Sequence, residues 1–202
     1  MKKIIAVVSL ILLVAISVAT ARMLRRGFSA RENPSVIEEM VARSARNLAT
    51  PAAWKSLQNP QPATAVNVRE GMEHFADHCA LCHANNGSGD TSLGRGMYPK
   101  PPDMRLAPTQ DLTDGEIYSI IQDGIRLTGM PAFGAPNNPD DKGSWNLVHF
   151  IRHMPKLTPE EEQQMLRLNP KSPDEIEVEH QQSSTGKPVK KKPHTHAPGQ
   201  EH

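Results

Sequence analysis

Hydrophobic positions divide this chain into regimes that call for different structures. Ile4 to Ala21 is an almost unbroken apolar run, residues 65–169 carry apolar side chains at helical spacing, and from Pro170 to His202 such residues nearly vanish. Within the middle regime, Val68, Met72 and Phe75 predict a helix over Val66–Ala80. Gly71, Phe75 and Cys79 are spaced one turn apart and share a face. A mid-helix glycine costs about 1 kcal/mol against alanine, so Gly71 calls for a reason such as close helix–helix contact. A glycine-rich loop through Gly87, Gly89, Gly94 and Gly96 follows, ending in Pro99-Lys100-Pro101-Pro102. Thr113 with Glu116 three residues later is a capping box before Ile117, Ile120 and Ile121, and Gly124 can stop that helix. Ser144–His153, carrying Trp145, predicts another helix, and Thr158-Pro159 opens a last short one. No alternating strand pattern of useful length appears, so the fold class is all-α.

The flanking regimes read differently. Met1-Lys2-Lys3 followed by the apolar run is the pattern of a secretory signal or a membrane helix. Ala19-Thr20-Ala21 fits a cleavage site, but a run of 18 residues is long for a signal and close to the ~20 that span a bilayer, which favours a retained anchor over 1–21. Residues 22–64 form a basic, partly helical linker. Asn33-Pro34 can open a helix with the stripe Val36, Met40, Val41 and Ala45, whereas Thr50-Pro51 and Asn59–Pro62 read as a stiff extended spacer. On that reading the linker is a leash of a few tens of ångströms. The one segment with enough periodic apolar residues to bury a core is 65–169, and 170–202, rich in Lys, Pro and His, is expected to be disordered. His180, His194, His196 and His202 make a loose tract that imidazole chemistry suits to copper, nickel or zinc, against the plainer reading of a solvated tail.

Charge sharpens the division. Residues 1–65 hold 9 Lys and Arg against 3 Asp and Glu, while 65–169 hold 9 against 14, a net of −5. An acidic domain repels phosphate, so nucleic acid is excluded as a partner, and the basic stalk suits anionic lipid headgroups.

The chemistry is concentrated in Cys79-Ala80-Leu81-Cys82-His83, the C-x-x-C-H pattern of covalent haem c attachment. Two thiols three apart on a helical turn meet the two vinyl-derived arms of a porphyrin, and the next histidine supplies a nitrogen to the iron. The same pair could be a redox dithiol or part of a zinc site. These are the only two cysteines in the chain, which excludes a four-cysteine zinc site, and the helical flanks do not fit a thioredoxin-like βαβ unit. With no second C-x-x-C-H, one domain carries one haem.

Gly71, Phe75, Cys79, Cys82 and His83, then Thr128-Gly129-Met130-Pro131-Ala132-Phe133, then an aromatic C-terminal helix, resemble a class I cytochrome c over about residues 66–156. The resemblance implies an all-α fold whose N- and C-terminal helices cross around one haem. It implies Met130 as the sixth iron ligand opposite His83, with Met97 and Met104 as rivals later in the chain than the attachment site. It also implies a backbone carbonyl from the Pro99–Pro102 stretch as the partner of the His83 ring, with Asp103 as a carboxylate competitor. His74 and His78, just ahead of the motif, are read as solvated surface residues. A haem closed by His and Met has no open position and suits one-electron exchange. The expectation is a non-enzymatic electron carrier, tethered to the inner membrane with its haem domain in the periplasm, exchanging electrons with membrane-bound or periplasmic redox proteins. The alternatives are a soluble periplasmic form, a cytochrome subunit of a membrane dehydrogenase or oxidase, and an open-iron peroxidase or sensor.

Overall fold

A computed structural model describes residues 1–27, 29–135 and 138–171. The described residues hold ten α-helices and one short 3-10 turn, with no strand. The apolar run becomes α1 (Lys2–Arg26), exposed from Lys2 to Arg25. An 18-residue window within Lys2–Arg25 has a mean hydropathy of 2.8, so the helix is long and apolar enough to cross a membrane, as an N-terminal signal sequence also can be. The histidine tract and nearly all of the 170–202 tail lie outside the described residues.

The linker departs from its sequence reading. Its helix α2 (Val36–Ala49) starts two residues beyond Pro34, because Ser35 and Glu38 form a capping box: Ser35 Oγ accepts from Glu38 N at 3.3 Å, and Glu38 Oε2 accepts from Ser35 N at 2.9 Å. The stretch read as an extended spacer contains a one-turn helix, α3 (Ala52–Lys55), and is strapped to the domain. Trp54 stacks on Tyr118 at 5.8 Å, Asn59 Nδ2 donates to Trp145 O at 2.9 Å, and His149 Nε2 donates to Gln61 O at 2.8 Å.

α4 (Ala65–His78) and α9 (Lys142–His153) cross at the centre of the molecule. A Cβ on Gly71 would lie 2.0 Å from the Asn146 carbonyl oxygen, so the absence of a side chain is what lets the two backbones meet. Around that point Phe75 packs on Phe150 at 5.3 Å, and both are buried. α9 begins two residues earlier than the apolar spacing predicts, because Asp141 Oδ1 caps it by accepting from Ser144 N at 3.2 Å. α8 (Asp114–Asp123) carries the predicted Thr113–Glu116 box and packs on α9 through Tyr118 against Trp145, stacked at 3.9 Å. α10 (Pro159–Leu168), capped by Thr158, closes the back of α4 with buried Met165 and joins α9 through His153 and Glu161 at 2.9 Å.

Candidate cofactor site

The attachment pattern sits on a break. The helix expected to continue to Ala80 stops at His78, and Cys79 serves as both the end of α4 and the start of α5 (Ala80–His83). Cys79 N still donates to Phe75 O at 2.9 Å, while Cys79 O accepts from Cys82 N at 3.1 Å and His83 N at 2.9 Å. This tight turn places Cys79, Cys82 and His83 along one wall of a cleft. The glycine-rich loop supports the turn from below: Gly87 N donates to Ala84 O, Gly89 N to His83 O and Thr91 Oγ1 to Cys82 O. Carbonyls that a short helix would leave unpaired are thereby satisfied.

Helix α8 contributes Ile117, Ile120 and Ile121 to the same cleft. Beyond it the chain closes a turn in which Ile125 N donates to Met130 O at 3.1 Å and Met130 N to Thr128 Oγ1 at 3.1 Å. It then runs back along the helix, with Phe133 N donating to Ile121 O and Gly134 N to Gln122 O. A local turn thus fixes Met130 itself, and helical carbonyls anchor the chain just after it. Met97, Met104 and Met130 all line the cleft. Met104 also packs on the core, and the Met97 sulfur lies 3.1 Å from where a Cβ on Gly129 would stand, against the residue preceding Met130.

The remaining walls of the cleft are mainly apolar, including Ile117, Ile121, Leu147 and Ile151. Burial pushes the His83 imidazole down to about 4, so it is neutral at pH 7 and holds a free lone pair. Burial, with the neighbouring Cys82 charge, pushes the Cys79 thiol up to about 12, and burial also raises Cys82. His83 Nδ1 is buried without a hydrogen-bond partner, so the expected carbonyl of the Pro99–Pro102 stretch does not reach it. Asp103 is engaged elsewhere, accepting from Arg105 Nη2 at 2.7 Å. His78 stands exposed at the cleft rim. His74 is not solvated as expected: it is half-buried with its ring 4.9 Å from that of His78, and burial lowers its pKa.

Two site residues escaped sequence reasoning. Arg46, on the last turn of α2, lines the cleft from outside the expected domain. Lys100, also in the lining, ties the loop down by donating to Arg95 O at 2.7 Å and Ala30 O at 3.0 Å. No periodicity links residues 30 and 46 to a loop more than fifty positions away.

Packed N- and C-terminal helices, with a C-x-x-C-H turn and a methionine loop lining one cleft, fit the architecture of a class I c-type cytochrome domain. Residues 66–151 match the family model for cytochrome C oxidase, cbb3-type, subunit III, and this segment is a c-type cytochrome domain. No curated protein matches the chain. The match implies a haem c cofactor and haem-based electron transfer. The residues present fit that group: a wide, largely apolar cleft, two thiols side by side, and a neutral buried imidazole with an orphaned nitrogen.

Proposed function

We propose that the protein is a one-electron carrier with a single haem c, held by thioether bonds to Cys79 and Cys82 and ligated by His83 and Met130. The haem supplies the reversible one-electron chemistry, and the chain tunes and shields it. The observation that carries this reading is the placement of Cys79, Cys82 and His83 along one side of the same cleft that Met130 lines from its anchored loop. A loop closed by its own turn and fastened to α8 just after Met130 resists rearrangement, as a carrier that keeps its ligands in both oxidation states requires. The Met97 sulfur packing on Gly129 favours a supporting role for Met97. Within this reading α1 is a retained anchor, 22–64 a linker, 65–169 the haem domain facing the periplasm, and 170–202 a tail. Donor and acceptor are membrane-bound or periplasmic redox proteins.

A second reading has a specific observation behind it. The matched family is described as an oxidase subunit, so the same domain can serve as the electron-delivering subunit of a membrane oxidase. Both readings need the closed iron. Met130→Ala should abolish the weak far-red band of ferric haem bound by sulfur, lower the potential, and admit carbon monoxide, with Met97→Ala nearly silent. Loss of that band in Met97→Ala alone would move the ligand to the proline-rich loop. Co-purification of the full chain with an oxidase from detergent-solubilised membranes separates the subunit from the free carrier.

A further inference from the structure

The helix α2 lies outside the matched segment 66–151, yet it reaches into the cofactor cleft. Glu38, Ala42, Ala45, Arg46 and Ala49 fall on one face by helical spacing. Two side chains of that face, Glu38 and Arg46, reach the domain. Glu38 Oε1 accepts from Tyr98 OH at 2.8 Å, and at the other end Asn47 Oδ1 accepts from Lys55 Nζ at 2.9 Å. Lys100 holds the chain just before α2 through the carbonyls of Ala30 and Arg31 at 3.0 and 3.3 Å. From this face Arg46 extends into the cleft, while Ala42, Ala45 and Ala49 remain exposed.

Arg46 is half-buried and makes no side-chain hydrogen bond or ion pair among the described residues. Burial disfavours its charge, and Glu116 is the one acidic group that opposes this. The other cation of the lining, Lys100, is saturated by backbone carbonyls. A haem brings two carboxylates into a cleft whose domain already carries 14 acidic residues against 9 basic ones. Carboxylates placed there need a compensating charge, and a desolvated guanidinium is suited to bidentate pairing with them.

We propose that Arg46 is the counter-ion of a haem carboxylate, so that α2 completes the cofactor site from the linker side. This rests on the haem reading above. A cation held beside the macrocycle stabilises the reduced state, which carries one less positive charge, over the oxidised state.

The test uses the full haem-loaded chain in detergent, titrated spectroelectrochemically at pH 7. Arg46→Gln should lower the potential, shifting the reduced-to-oxidised ratio about tenfold at the wild-type midpoint, while the far-red band stays. Arg46→Lys keeps the charge and should recover most of the ratio. Arg43→Gln, on the same helix but exposed and paired with Glu39, is the control and should match wild type. A merely structural Arg46 would change the melting temperature and leave the midpoint alone, and that result overturns the proposal. Should Arg46→Gln fail to load haem, the resonance Raman bending bands of the haem carboxylates must differ between wild type and Arg46→Lys. Identical bands overturn the proposal as well. A wild-type chain that takes up no covalent haem overturns both this inference and the function it rests on, whereas an unshifted midpoint in fully loaded variants overturns the inference alone.

Discussion

Replacing Gly71 with alanine probes the contact on which the fold turns. The added Cβ would stand 2.0 Å from the Asn146 carbonyl oxygen, 2.6 Å from its carbon and 3.0 Å from Phe150 Cβ. Ordinary contact needs more than 3 Å, so α4 and α9 must separate by roughly 1 Å or shear past one another. Neither neighbour can yield as a flexible side-chain tip would, since two of the three atoms are backbone and the third sits on a fully buried phenylalanine. Overpacking of this kind costs about 1–3 kcal/mol, and here the rigid partners favour the upper end. The helix-propensity gain of alanine over glycine returns about 1 kcal/mol. The net loss is about 2 kcal/mol, or roughly 10 °C in melting temperature for a domain of this size. Gly96 is the matched control: a Cβ there meets nothing closer than the Leu93 carbonyl oxygen at 3.4 Å, in a right-handed helical conformation. Thermal unfolding of the haem-loaded proteins, followed by far-ultraviolet circular dichroism, decides the matter. Gly71→Ala melting with wild type, or Gly96→Ala losing as much, would refute the claim that backbone contact at Gly71 governs the crossing.

Arg152 pins the turn before α8 to α9: its Nε donates to Asp114 Oδ1 at 2.8 Å, Nη1 to Gln110 O at 2.6 Å, and Nη2 to Leu112 O. Arg152→Ala should cost about 1.5–3 kcal/mol, seen as a lower urea midpoint with an unchanged slope. At Glu161, burial pushes the carboxyl upward, but hydrogen bonds from Thr158 N and His153 outweigh it, leaving the folded pKa below the usual glutamate value. The stabilisation is therefore complete above the unfolded value, about 4.3, and fades as pH falls through the folded one. Glu161→Gln should be less stable than wild type at pH 6 and converge with it near pH 3, and parallel stability curves over that range would sink the assignment.

The elements legible in the sequence were those whose signals are local. Thr113 with Glu116 marks a helix start as a capping box, and Thr158-Pro159 marks another through proline in the first turn; the structure starts helices at both, with Glu161 closing a second box on Thr158. Gly71 announced a close approach because a glycine in a helix needs a reason, although not which residue it would meet. The C-x-x-C-H turn was legible for the same reason of locality, while the break at Cys79 was not, since apolar spacing continues smoothly across it. What stayed hidden were contacts between distant segments. Trp54 stacking on Tyr118 looks in sequence like a stray aromatic among prolines, and the packing becomes evident only once Gly115 is seen to leave room for the Trp54 carbonyl, 1.9 Å from where its Cβ would be. The same holds for the Lys100 anchor and for Arg46.

Those hidden contacts change the reach of the tether. A free linker over residues 22–64 would let the haem domain roam a few tens of ångströms. With Trp54 stacked, Glu38 bound to Tyr98, and Lys100 holding the Ala30 carbonyl, that length is folded onto the domain. Between the end of α1 at Arg26 and the first anchor at Ala30 lie only residues 27–29. The four Cα–Cα steps from Arg26 to Ala30 can span at most about 14 Å. If α1 is the retained anchor proposed above, the domain is held against the bilayer rather than hung from it, and the side carrying α2 and the loop at residues 98–100 lies nearest the membrane. Partners embedded in the membrane then meet the cofactor at short range from a restricted set of orientations. That arrangement favours fixed delivery to one neighbour over diffusion among many, because a short connection raises effective concentration only for sites it can reach.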